Sequence, residues 1–322
     1  MCRCANVQIE RPHLHICTSA HRYMIFIDKK YQGIFFMLLA AMGFSLMGGA
    51  AKALKDSFNA GQLVFYRNAV GLAVIMIGFA RRRPVNKGGK WSWLAFRGIM
   101  GTIALYTLLF CILHMPLGTA MTYNLTSAIF IALFSYVLFR EYHGVRVLFA
   151  VLLGFTGMLL IYKPNMHLPL EYHLMGLISG ITSAIAYLTL NRIAAHFDPR
   201  MIVLSFLLSG VIVPSISMIF HYVGDFPVDG LFIVDWKWPS GEEWVYISMM
   251  GLAALFGQYF VTRAYGADKA GIVSAIGYTN IIFSTAIGIM MGDTFPDIIS
   301  VTGICCIIFS GVMISLVKRK TG

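Results

Sequence analysis

A succession of ten long apolar runs constrains this chain more than any other feature. They lie at roughly 33–52, 60–80, 94–114, 118–139, 144–162, 174–195, 201–223, 244–265, 271–291 and 297–317. Each is about as long as a helix must be to cross a hydrocarbon core about 30 Å thick. In lipid, only a helix or a closed barrel satisfies its own backbone hydrogen bonds. The runs are continuous rather than alternating, so helices are expected and a barrel is not. Composition agrees, with 58% hydrophobic and 12% charged residues against about 25% charged in soluble domains. The linkers are short except at 81–93 and 224–243, and leave no room for a soluble domain. The expectation is an all-α integral membrane protein.

The net charge of +11 would suggest a nucleic-acid partner in a soluble chain, but here the placement of the charges gives another reading. With the N-terminus inside, twenty of the twenty-five Lys and Arg fall on one side, Arg81, Arg82, Arg83, Arg97, Arg140 and Arg263 among them. The opposite side holds Lys52, Lys55, Lys163 and Lys237 with the acidic segment 224–243. This is the bias of cytoplasmic segments in membrane proteins, so both termini are expected in the cytoplasm of an inner-membrane protein, with no nucleic acid as partner. Trp91, Trp93, Trp236, Trp238 and Trp244 stand at expected helix ends, where amphipathic rings meet headgroups.

Cys2, Cys4 and Cys17 with His13, His15 and His21 lack the paired spacing of a zinc site, so neither metal nor cofactor is expected. Residues 1–30 are read as a disordered cytoplasmic leader; translation from Met24 would give a short basic leader running directly into the first span. There is no GxxxxGK[ST] loop and no HExxH, so an enzyme or an ATP-driven pump is not expected.

The chain also repeats itself. "GIFFMLLAAMGFSLMGGAAKAL" from Gly33 aligns with "GLISGITSAIAYLTLNRIAAHF" from Gly176, and the stretch from Pro116 aligns with that from Lys269, placing Gly118 on Gly271 and Thr126 on Thr279. Five spans per half is an odd number, so the halves must insert in opposite senses. That is a common plan of secondary transporters, whose substrate site lies near the midplane between the repeats.

With those two halves, the arginine of "LVFYRNAVG", the stretches "FRGIMGTIALYTLLF" and "PLGTAMTYN" and the acidic turns "LFREYHG" and "MMGDTFPD", the chain resembles the ten-helix, EamA-domain type of the drug/metabolite transporter superfamily over about residues 30 to 318. The resemblance implies ten transmembrane helices as two inverted five-helix repeats, at 31–163 and 170–318, and favours export. Relatives often carry proline where Ala128 stands, so no proline kink is expected there; Asp293 replaces the usual Glu and keeps the carboxylate.

Arg67 lies about seven residues inside its helix, roughly 10 Å deep. An ionised group there is costly unless paired or wet. Two readings stand: the stem snorkels outward or meets a backbone carbonyl, or the guanidinium lines a cavity and meets an anionic group of a substrate. All fourteen Asp and Glu fall in loops or at helix ends, so none is placed to neutralise Arg67 in mid-span. The candidate substrate contacts are Arg67, Tyr66, Tyr106, Asn124, Tyr187, Gln258, Tyr278 and Asn280. Asn124 and Asn280 lie on stripes of small residues in equivalent spans, where helix packing is the competing account. Glu141 and Asp293 end the same spans and are expected to orient turns or gate. The expected function is secondary transport of a small anionic or zwitterionic metabolite, with the bilayer and a second copy of the chain as partners. A membrane-embedded enzyme or a scaffold without flux is the alternative.

Overall fold

The computed structural model of the chain describes residues 31–81, 84, 87–114, 117–127, 129–131, 134, 144–162, 169–224, 234–290 and 298–320. The expected leader lies outside them. Eleven helices are described: α1 Gln32–Ala53, α2 Ala60–Arg81, α3 Trp91–His114, α4 Leu117–Leu125, α5 Gly144–Tyr162, α6 Leu170–Ile193, α7 Pro199–Gly224, α8 Gly241–Ala267, α9 Ala270–Ile276, α10 Thr279–Met290 and α11 Ile298–Lys320. No strand occurs among the described residues. Among the described residues seven stretches are long and apolar enough to cross a membrane, with Val145–Gly157 and Val301–Ser310 as shorter apolar segments. Large apolar side chains such as Ile77, Phe149, Ile216 and Phe309 stand exposed, which suits a surface covered by lipid tails.

The packing follows the repeat. α1 packs on α8 as α3 packs on α6, α1 on α10 as α6 on α4, and α2 on α8 as α7 on α3. α2 with α7 and α5 with α11 are self-matching pairs across the same two-fold relation. An all-α membrane protein of two inverted repeats accounts for this pairing. Close approach depends on absent side chains, as expected where lipid replaces the hydrophobic drive between helices. A Cβ on Gly43 of α1 would lie 2.9 Å from the carbonyl oxygen of Ala253 in α8, and one on Gly157 of α5 would lie 2.6 Å from that of Gly303 in α11.

The ninth span, expected as one helix, is in two pieces. α9 ends at Ile276 and α10 begins at Thr279, with Asn280 N–H donating to Gly277 O at 3.0 Å and Ile281 N–H to Tyr278 O at 3.0 Å. These bonds span three residues, the tighter pattern that marks breaks within helices. The fourth span breaks at the matching place without a proline: Thr126 is in a turn, and its N–H donates to Tyr123 O at 3.2 Å. Thr126 Oγ1 donates to Tyr123 O at 2.6 Å and Thr279 Oγ1 to Ile276 O at 2.8 Å. The two threonines that the repeat aligns thus do the same work, each binding the carbonyl three residues back and loosening the helix there. Ala128 itself lies outside the described residues.

Candidate functional site

Both breaks border a cavity of about 80 Å³ at the centre of the bundle, reached by Arg67 from α2, Arg97 from α3, Asn124 from α4, Tyr187 from α6, Gln258 from α8 and Asn280 from α10. Pockets for drug-sized ligands measure about 300–1,000 Å³, so in this conformation the cavity is smaller than such a ligand needs.

Arg67 does not snorkel, because only 1% of it is exposed. Its Nε donates to Met47 Sδ at 3.2 Å and one terminal nitrogen to Asn68 Oδ1 at 2.9 Å. The guanidinium carbon lies 5.3 Å from the centre of the Phe206 ring. Arg97 was expected among the cytoplasmic charges, and the structure corrects this: it too is 1% exposed. Helix α3 starts at Trp91, so Arg97 sits six residues in, roughly 9 Å deep. A terminal nitrogen donates to Gln258 Oε1 at 3.1 Å, while Nε and the other terminal nitrogen are buried with no hydrogen-bond partner among the described residues. Its guanidinium carbon is 4.9 Å from the same Phe206 ring.

Among the described residues neither guanidinium has a carboxylate within ion-pair distance. Arginine stays charged in proteins. Since both carbons lie within 5.3 Å of one ring centre, they are no further apart than twice that distance, and two like charges about 10 Å apart repel by about 1.5 kcal/mol at an effective dielectric near 20. Phe206 offsets part of this through its ring face. The charge that the described residues turn toward the cavity is therefore positive.

Neutral polar groups complete the wall. Asn124 Nδ2 donates to Ser179 Oγ and Ser183 Oγ, each at 2.9 Å. Asn280 Oδ1 accepts from Ser45 and, at 3.1 Å, from Ser284. The two asparagines are not symmetry mates, because Asn124 precedes its break and Asn280 follows its own. Tyr187 stacks on Tyr265, centroids 4.9 Å apart and planes 7° from parallel.

The EamA-like transporter family model matches residues 31–163. An uncharacterized transporter of Helicobacter pylori is 30% identical over 289 residues, covering 88% of this chain and 94% of that one. The chain belongs to the EamA-like transporter family. The pseudopaline exporter of Pseudomonas aeruginosa is 26% identical over 91% of this chain and 99% of its own length, and human solute carrier family 35 member G1 is 24% identical over 87% and 78%. A solved crystal structure superimposes with a TM-score of 0.67 at 16% identity, over 91% of this chain and 96% of that one, and shows the fold alone. This EamA-like protein is thus a multi-pass membrane transporter of the drug/metabolite transporter superfamily.

Three of the aromatic candidates stand away from the transporter's cavity. Tyr66 donates its hydroxyl to Lys237 O and packs among Phe58, Phe65, Trp236 and Trp244. Tyr106 lines a separate, apolar groove of about 270 Å³ with Ile99, Ile103, Ile178 and Val213. Tyr278 is buried with its ring against Gly154 of α5, and its hydroxyl has no partner among the described residues. Neighbouring positions on a helix point about 100° apart, so Tyr66 turns away where Arg67 turns in. Glu141 and Asp293 lie outside the described residues.

Tyr66 holds a strap, residues 234–240, that lies across the α1–α2 turn of this transporter. Asp235 accepts from Asn59 Nδ2 at 3.3 Å and from Gln62 Nε2 at 3.0 Å, Lys237 Nζ donates to Ser57 O at 2.6 Å, and Val234 is fully buried. At the α6–α7 turn, the pseudo-equivalent place, Lys87 N–H donates to His196 O at 2.8 Å and Trp91 packs edge-on against Phe197 at 5.0 Å.

Proposed function

We propose that this transporter carries a small anionic metabolite out of the cell by alternating access, as a facilitated exporter or exchanger. The observation that carries the reading is Arg67: a fully buried arginine, bound to a thioether and a carboxamide and facing the cavity between the two repeats. A buried guanidinium without an anion is costly in the resting protein, and a substrate carboxylate meeting its planar donor fork would remove that cost. Arg67, Asn124, Tyr187, Gln258 and Asn280 are proposed as substrate contacts, with Arg97 added.

The matched helix breaks at Thr126 and Thr279 would be the hinges, and the straps over the two turns the closures at either end. Rocking one repeat against the other would open them in turn. The pseudopaline exporter and the riboflavin transporter of Vibrio cholerae among its relatives support a metabolite cargo, and the first supports export. The bias of basic residues supports cytoplasmic termini in the inner membrane.

The test is flux in proteoliposomes, with the substrate chosen by metabolite profiling of cells lacking or overproducing the protein. Arg67→Ala, folded and inserted, is expected to lose transport of an anionic substrate; unchanged flux refutes the role. Substrate-dependent alkalinisation of the lumen of inside-out vesicles would refute facilitated transport in favour of proton exchange.

A further inference from the structure

We infer that the cavity binds a dianion, a small organic molecule with two acidic groups on a short chain, Arg67 holding one group and Arg97 the other. This rests on the anion reading above and narrows it. The argument begins with the donors that the protein leaves over. Among the described residues Arg97 Nε and one terminal nitrogen are buried without a partner, and its remaining bond is to neutral Gln258. The Nε of Arg67 meets only a thioether, a weak acceptor. Each guanidinium therefore has donors for the two oxygens of a carboxylate or phosphate.

The second step is the count of charges. Both guanidiniums line one cavity and touch one ring, Phe206, from helices α2 and α3. A monoanion would neutralise one and leave the other buried and unpaired, which is the costly arrangement. A dianion of a few carbons reaches both, given their limited separation. Gly101, one turn along from Arg97, is shaped for this: a Cβ there would lie 2.9 Å from an Arg97 terminal nitrogen and 2.8 Å from the Phe206 ring. A larger residue would push the guanidinium off its place.

The experiment uses the full-length protein in lipid nanodiscs, titrated at constant ionic strength and pH 7 with succinate, glutarate and butyrate, binding being read as the rise in unfolding temperature. Succinate or glutarate is expected to half-saturate at a concentration at least tenfold below butyrate. Arg97→Gln is expected to bring the dicarboxylates to parity with butyrate measured on the same variant, and Arg97→Lys, a point charge without the fork, to keep part of the preference. Equal binding of dicarboxylate and butyrate by the wild type, or a preference that survives in Arg97→Gln, overturns the dianion assignment and leaves the anion reading standing. No response to any of the three overturns both. If Arg97→Gln does not fold, Gly101→Ala replaces it; a reduced dicarboxylate preference supports the inference and an unchanged one overturns it.

Discussion

Replacing Arg97 by methionine is expected to make the ligand-free transporter more stable. The substitution removes a charge that repels Arg67 by about 1.5 kcal/mol at an effective dielectric near 20. It also removes two buried donors, Nε and one terminal nitrogen, that have no partner among the described residues, each costing about 1–3 kcal/mol. Against this stand the bond to Gln258 at 3.1 Å, about 1.5–3 kcal/mol for a charged donor, and the contact with Phe206 at 4.9 Å, about 0.5–2 kcal/mol. Central values leave about 2 kcal/mol in favour of methionine, a rise of roughly 3 °C in unfolding temperature for a chain of 322 residues by the per-residue entropy scaling. The assay is thermal unfolding in nanodiscs without added organic anion, with Arg200→Met as the contrast. Arg200 is paired with Asp198 at 3.0 Å and partly exposed, so its loss should leave stability equal or slightly lower. A fall for Arg97→Met of several degrees would refute the reasoning, because it would make Arg97 a structural tie and not a charge held for a ligand.

Other outcomes follow from the packing. Gly43→Val should cost about 1–3 kcal/mol through overpacking, since even a Cβ at that position meets the Ala253 carbonyl at 2.9 Å; yield of folded protein measures it. Asp235→Ala removes the acceptor of Asn59 and Gln62 and should loosen the strap, seen as faster limited proteolysis within 234–240. Thr126→Val and Thr279→Val each lose one side-chain bond at a break. Each should shift stability by about 1.5 kcal/mol or less, and transport rates should change in both.

Much of the fold is legible in the sequence because lipid demands long, self-satisfied helices and the apolar runs report their lengths directly. Helix α3 shows where this stops. By hydropathy its apolar run begins at Leu94, which places Arg97 at a cytoplasmic edge, while the helix starts three residues earlier and takes the arginine inward. The glycine at position 101 of "FRGIMG" is the signal, since it clears room for the Arg97 side chain along its own helix, while Gly98 lets α7 approach at the Ser205 carbonyl. The breaks at Thr126 and Gly277 were hidden because neither carries a proline; a hydroxyl bound to a nearby carbonyl has the same effect and leaves no mark in hydropathy. The tyrosines show a third limit. Tyr66, Tyr106 and Tyr278 are the right residue types for a polar cavity, but residue type does not report the phase of a helix, and one step of 100° separates the wall of the site from the packing behind it.

The two unpaired arginines also bear on what drives the transporter. They belong to helices of the first repeat and, among the described residues, have no carboxylate within ion-pair distance; if the site takes a dianion, the charge that crosses the membrane is the cargo's own. A dianion leaving a compartment held 100 mV negative gains about 2.3 kcal/mol per charge, or roughly three orders of magnitude in concentration ratio for both. Voltage alone would then set both the direction and the reach of export, with no ion gradient to spend.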